Sequence, residues 1–181
     1  SVKHSSDTNL PSTTKIIEKG NVKPWLYEYS GIVAPHSKVS AGATGMGVNV
    51  TSPEPDAVVR KMPVLIRING KIYPSMILEN IRLLNGSKRS KKAGIPVNHN
   101  AEMYINYADP EMYVNMSATD ILTDNFNENK IKDRIVIVGL DAAGLSVLKY
   151  TPHGLTTDQN ISAQAVDTLL TGKHLLGTPQ A

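Results

Sequence analysis

Any chemistry in this chain has to come from histidines, carboxylates and hydroxyls, because it contains no cysteine. That excludes disulfides, thiolate metal sites and cysteine nucleophiles. The nearest approach to a reactive grouping lies towards the C-terminus. His153 stands in Thr151-Pro-His-Gly154, between Asp141 and Asp158. An imidazole with two carboxylates can bind a metal or move a proton. The spacing matches no ligand pattern, and a turn histidine bonded to backbone is the plainer reading. Ser146 and Ser162 carry potential nucleophilic oxygens, but neither lies in Gly-x-Ser-x-Gly. Gly139-Leu-Asp-Ala-Ala-Gly144 has the glycine spacing of a phosphate loop and then reads Leu145-Ser146 where such a loop needs lysine. Gly42 to Gly47 precedes a strand where a dinucleotide loop must precede a helix. His4, His36, His99 and His174 are scattered and suggest no cluster.

The elements that would position these groups are legible around them. Arg134-Ile-Val-Ile-Val-Gly139 predicts a buried strand, residues 139–160 a long ordered loop at its carboxyl end, and the pattern from Ile161 to Leu170 a returning helix over 161–172, closed by Gly172. Ligands in α/β folds collect at the carboxyl ends of strands. On that ground Asp141, Thr151, His153 and Gln164 are the candidate ligand-binding residues, on the strand exit, its loop and the facing helix. No catalytic set, metal site or cofactor site is expected.

Upstream, residues 30–35 predict a short strand, 35–43 one or two helical turns, and 48–51 another strand. After turn residues at 52–56, Val58 to Ile68 predicts a strand that Pro63 makes an edge or bulged one. Asp56 and Arg60 flank its start and can pair across it. Asn69-Gly70 is a tight turn, and Tyr73-Pro-Ser75 opens a helix that Asn85-Gly86 ends. Ser87 to Gly94 is a basic loop whose Lys88, Arg89, Lys91 and Lys92 have no interleaved aromatics for base stacking, so it reads as solvated. Strands at 95–97 and 103–107 meet through His99-Asn100; Ser117 caps a short helix through Leu122; 125–132 is a polar linker.

An apolar fraction of 40% against 19% charged residues describes a globular chain, and a single Trp and single Phe mean that its core is aliphatic. A net charge of +3 is too mild for a committed nucleic-acid binder. No apolar run approaches the roughly 20 residues of a membrane span. The expected fold class is α/β of the mixed α+β type: a partly antiparallel, twisted mixed sheet with flanking helices. The 181 residues divide into a poorly ordered lead-in, 1–23, and one domain, 24–176, expected to lack its N-terminal portion.

Several blocks, in this order, carry a resemblance. They are Gly45-Met-Gly-Val-Asn-Val50, Pro53-Glu-Pro-Asp56-Ala-Val-Val-Arg60-Lys-Met-Pro63, Tyr73-Pro-Ser75 and Ile105-Asn-Tyr107. Asp133-Arg-Ile-Val-Ile-Val-Gly139 with Ala142-Ala-Gly144-Leu, Thr151-Pro-His-Gly154 and Ala163-Gln-Ala-Val-Asp167-Thr-Leu-Leu170 follow. The chain resembles the second type of CHASE domain, the extracellular sensory module of bacterial cyclases, histidine kinases and Ser/Thr kinases. Two departures stand out. Glu54-Pro-Asp56-Ala57 replaces the family's Asp-x-Asp-Gly, and Asn160-Ile-Ser-Ala-Gln replaces its Val-Glu-Ile-His-Ala. The resemblance implies an extracytoplasmic, non-enzymatic domain of a membrane-anchored receptor that responds to a small molecule or a stress, with a homodimer as a further expectation and no nucleic-acid partner. Two other classes remain open: a dimerisation or scaffold module without a pocket, and a hydrolase using His153 with Asp141. The last requires those two side chains to converge.

Overall fold

The computed structural model describes residues 25–52, 54–84, 94–109, 112–142 and 144–176. The expected lead-in over 1–23, the helix stop at Asn85-Gly86 and the basic side chains of 87–92 lie outside them. The chain is of mixed α+β type. Its elements are β1 (Glu28–Tyr29), α1 (Ser37–Ala41), β2 (Lys61–Pro63), β3 (Leu65–Ile68), β4 (Lys71–Pro74), α2 (Met76–Leu84), β5 (Glu102–Tyr104), α3 (Ala118–Leu122), β6 (Lys149–Thr151), β7 (Gly154–Thr156) and α4 (Asp158–Thr171).

Strand pairing is divided among short ladders. β3 lies between β1, parallel to it, and β4, antiparallel; β2 pairs antiparallel with β5, and β6 with β7. The strand expected over 58–68 passes from one ladder to another at Val64. Proline has no N–H to give to a ladder, and Pro63 ends β2. Val64 then donates to the Ala101 carbonyl at 2.8 Å and accepts from the Ser75 N–H at 2.9 Å, so it stitches the β5 side to the β4 side. The Asn69-Gly70 turn is present, with φ of 48° and 75°, the left-handed pair that a two-residue hairpin requires. β4 occupies residues read from sequence as the approach to a helix, and α2 begins at Met76.

The core is aliphatic, as the composition requires. Val59, Met62 and Val64 meet Met103 and Ile105 from the β2–β5 ladder, and Ile77 of α2 and Ile161, Ala165 and Val166 of α4 close over them. Glycine permits one close approach here. At Gly47 an added Cβ would lie 2.6 Å from the Ser75 carbonyl oxygen and 2.5 Å from the Met76 Cα. The segment is held there by Val48 N–H to Pro74 O at 3.0 Å and Met76 N–H to Val48 O at 2.9 Å.

Several expected strands are corrected. Residues 30–35 and 95–97 form none, and 48–51 contributes only the Val48–Ser75 bridge. The largest change is at 134–139, expected to be a buried strand. It runs without a ladder partner among the described residues, with Val136 51% and Val138 88% exposed. A β-branched run becomes a buried strand only when a neighbouring strand and a covering layer are supplied, and no strand among the described residues pairs with it.

Candidate functional site

The C-terminal third is built around α4. Thr157 is its N-cap in extended conformation and makes no side-chain capping bond; the first helical bond runs from Ile161 N–H to Thr157 O at 3.1 Å. Gly172, with φ of 66°, closes the helix in the left-handed conformation expected of it. The helix starts at Asp158 instead of Ile161, because the β6–β7 hairpin delivers the chain directly into its first turn.

Lower on the helix, two side chains act as a strand would. Gln164 is buried. Its Oε1 accepts from the Ala108 N–H at 2.8 Å and the Tyr113 hydroxyl at 3.1 Å, and its Nε2 donates to the Ala108 carbonyl at 3.2 Å. The amide therefore pairs with both peptide groups of one residue, like a neighbouring strand. Thr168, one turn on, accepts from the Asn106 N–H at 3.0 Å and donates to the Gln164 carbonyl at 2.8 Å. The other edge of this segment faces β2 through Ile105 N–H to Arg60 O at 2.9 Å. Tyr107 between them donates its hydroxyl to Val59 O at 2.8 Å, and burial pushes its phenol above the ordinary range.

Thr151 and His153 sit on the β6–β7 turn. The buried Thr151 hydroxyl donates to Gly154 O at 2.8 Å and accepts the His153 N–H at 3.3 Å, so it holds the turn closed. His153 is exposed, and its ring lies 6.1 Å from that of Tyr107, stacked at 28°. His153, stacked on Tyr107, and Gln164, bonded to Ala108, thus both meet residues 107–108, while Thr151 bonds within its own turn. Asp141 does not join them. It is exposed and makes no hydrogen bond or ion pair among the described residues.

The hydrolase geometry is not met, since no hydrogen bond joins Asp141 to His153. The Ser146 hydroxyl donates at 3.4 Å to Ala142 O. Asp56 and Arg60 do pair, as their flanking positions suggested, at 2.8 Å, and Glu54 joins them at 2.6 Å to Arg60 and 2.7 Å to Lys61. These contacts are structural and lie on the 54–61 turn. No group of metal-ligating side chains occurs among the described residues, and no helix among them is long and apolar enough to cross a membrane.

The described residues form at least two clefts. One, of about 430 Å³, has largely apolar walls from residues 31–35, 46–50, Tyr29, Ile68 and Tyr73. The other, of about 310 Å³, lies between the 137–140 and 145–147 segments and the first turn of α4, with Asn49 and Met76 beside it. Gly139 lets the two sides approach, for an added Cβ would come within 2.8 Å of the Gln159 side chain. Gln159 bonds across through Nε2 to Leu140 O at 3.0 Å. Below, Lys149 pairs with Asp158 at 2.6 Å and also reaches the Thr51 hydroxyl.

Sequence reasoning did not single out Tyr107, Tyr113 or Gln159. Tyr107 stood in a family block, Ile105-Asn-Tyr107, but its partners lie far along the chain. A comparison with protein-family models matches the CHASE2 domain over residues 5–181. No curated protein and no solved structure matches the chain.

Proposed function

The chain belongs to the CHASE2 domain family of extracellular sensory domains, and from that premise we propose that it is the ligand- or stress-sensing ectodomain of a bacterial membrane signalling protein. It performs no chemistry itself. Its output is a cyclase or protein kinase domain on the other side of the membrane. The observation that carries this reading is the double engagement of α4. Its first turn lines a cleft against the 137–147 segments, while Gln164 and Thr168 further along hold residues 106–108. That stretch continues from β5, whose Tyr104 bridges Leu175 after the helix ends. A change at the cleft has a hydrogen-bonded route through α4 and residues 104–108 to Leu175.

A signal acts on such a device only through its differential affinity for two arrangements. The part of the 139–160 stretch before the β6–β7 hairpin is suited to have two, since residues 144–148 have no ladder partner among the described residues. A thermal-shift screen against metabolites, metals and anions tests the reading. A ligand at 100 times its dissociation constant adds about 2.7 kcal/mol, and hydrogen exchange should slow within 139–164. A flat screen on folded protein refutes it.

A second reading has an observation in its favour. Val136, Val138, Leu140, Leu145 and Val147 are each more than half exposed and close in sequence, and clustered exposed apolar side chains mark docking surfaces. A dimerisation role predicts a concentration-dependent mass in sedimentation that Val136→Lys abolishes. A monomer at all concentrations removes it.

A further inference from the structure

We infer that the larger cleft takes a neutral, planar aromatic molecule. It is distinct from the α4 cleft on which the sensory reading rests, and it goes beyond that reading. Its floor is one face of the β1–β3–β4 sheet. Tyr29 stands opposite Ile68, and Tyr73 opposite Ile66; cross-strand partners present their side chains on the same face. Ile66 and Ile68 share that face by the alternation of a strand. Both are buried yet lie outside the main core cluster. Tyr29, Ile68 and Tyr73 line the cleft, and residues 31–35 and 46–50 form its sides.

The walls set the ligand's chemistry. No charged side chain lines the cleft, so an ion entering it would leave water without gaining a counter-charge. Burial, then Tyr27 and Glu102, push the Tyr29 phenol above its ordinary value, so that side chain stays neutral too. Lys71 argues the other way, since it shares the sheet face opposite Ile68. It is exposed and is not a lining residue. Two tyrosine rings and the Met46 sulfur favour an aromatic body over an aliphatic one of the same size. Polar partners are at hand for a ring N–H or a carbonyl. The Tyr29 and Tyr73 hydroxyls and the Asn49 amide make no hydrogen bond with any described residue. Apart from Val48, the backbone of 31–35 and 46–50 makes no backbone hydrogen bond among the described residues. A volume of about 430 Å³ lies within the range of small-molecule sites, which are mostly apolar with a few polar groups. A ligand here would bear on the other cleft as well, because Asn49 lines both.

The test titrates indole, indole-3-acetate, tryptamine and cyclohexanol into the whole chain at constant ionic strength. Melting temperature and backbone amide resonances are followed. Indole should saturate, raise the melting temperature and move the resonances of 46–50 and 68–73. Indole-3-acetate and tryptamine, which add a charge of either sign, should bind about tenfold more weakly or worse. Tyr29→Leu combined with Tyr73→Leu should weaken indole about tenfold, the order of two ring contacts, and leave cyclohexanol unchanged. Val33→Asp puts a carboxylate at a lining position that is 90% exposed, where folding tolerates it, and should weaken indole several-fold. Equal or tighter binding of either ion or of cyclohexanol overturns the assignment. So does the absence of indole binding, a set of indole shifts confined to other residues, or indole affinity unchanged in either folded variant. Indole failing while the broader screen finds a ligand that protects 139–164 removes this site and leaves the sensory reading standing. Indole bound here with exchange at 139–164 unaltered keeps the site and counts against the sensory reading.

Discussion

Replacing Gln164 by leucine tests whether α4 is held to residues 106–108 by the geometry described. Leucine nearly conserves volume and keeps the helix, so the change removes polar contacts and little packing. Three hydrogen bonds disappear, at 2.8, 3.1 and 3.2 Å. Tyr113 is half-exposed and can turn its hydroxyl to water, so its share is small. The Ala108 N–H and carbonyl are different. They face a helix, and leucine gives them no partner. An unsatisfied buried group costs about 1–3 kcal/mol, and because Ala108 keeps some exposure the lower part of that range applies to each. The expected loss is about 2–3 kcal/mol, or roughly 5–10 °C in melting temperature for a chain of this size. Urea denaturation gives the energy, and amide exchange at Ala108 gives the location: it should quicken well beyond the global change. A loss under about 0.5 kcal/mol, the level of an ordinary surface substitution, with Ala108 exchange unaltered, would refute the clamp and with it the proposed route from cleft to Leu175.

Ala57 occupies the left-handed region with φ of 65° and is exposed. An L-residue there pays about 1–2 kcal/mol, less glycine's entropy cost of about 0.5–1 kcal/mol, so Ala57→Gly should stabilise by about 0.5–1 kcal/mol in denaturant titration. Gly47→Ala pushes a methyl into the backbone at the start of α2 and should cost about 1–3 kcal/mol, as overpacking does; a neutral result would mean that the 45–50 segment is not held against α2. The Lys61 hydrogen bond holds Glu54 below its usual range, and the Arg60 hydrogen bond does the same for Asp56. Their contribution is present above the ordinary carboxylate range near about 4 and is lost as pH falls through the depressed folded values. Stability measured from neutral to acid pH should therefore fall less steeply in Arg60→Met than in the parent chain, and parallel curves would remove the network from the account.

What the sequence discloses here is mostly local. Asn69-Gly70, the Ser117 cap, which accepts from the Thr119 N–H at 3.1 Å, and the Gly172 stop each depend on a few adjacent residues, and each is found in place. The mixed α+β class and the α4 face follow from periodicity. β4 was hidden because Pro74-Ser75 reads as a helix opening while the strand before it needs β3 to exist. The site was legible only in part. Thr151 and His153 were singled out from their turn, which the structure places at the β6–β7 hairpin, but the contacts of Gln164 are set by Ala108, 56 positions away, and no local pattern encodes that pairing. Ala57 shows the reverse case: the family pattern asks for glycine there, and the backbone retains a glycine conformation although the residue is alanine.

Residues 134–139 carry the strongest strand signal in the chain and form no strand. β propensity records how well a side chain fits a pleated, half-buried surface among neighbours, so the run states what surroundings it suits, not what it finds. In this structure its far end borders the α4 cleft, with Ile137 to Leu140 forming one wall, and Gln159 makes a bond across to Leu140. A segment whose conformation is not fixed by strand pairing among the described residues is therefore a wall of the candidate cleft. That is the arrangement a sensor requires. A fully laddered wall would hold one geometry whatever the cleft contained, whereas an extended segment with open backbone groups and exposed valines gains most from an added contact. The same features serve either a ligand or a second chain, and the exchange and sedimentation measurements separate them.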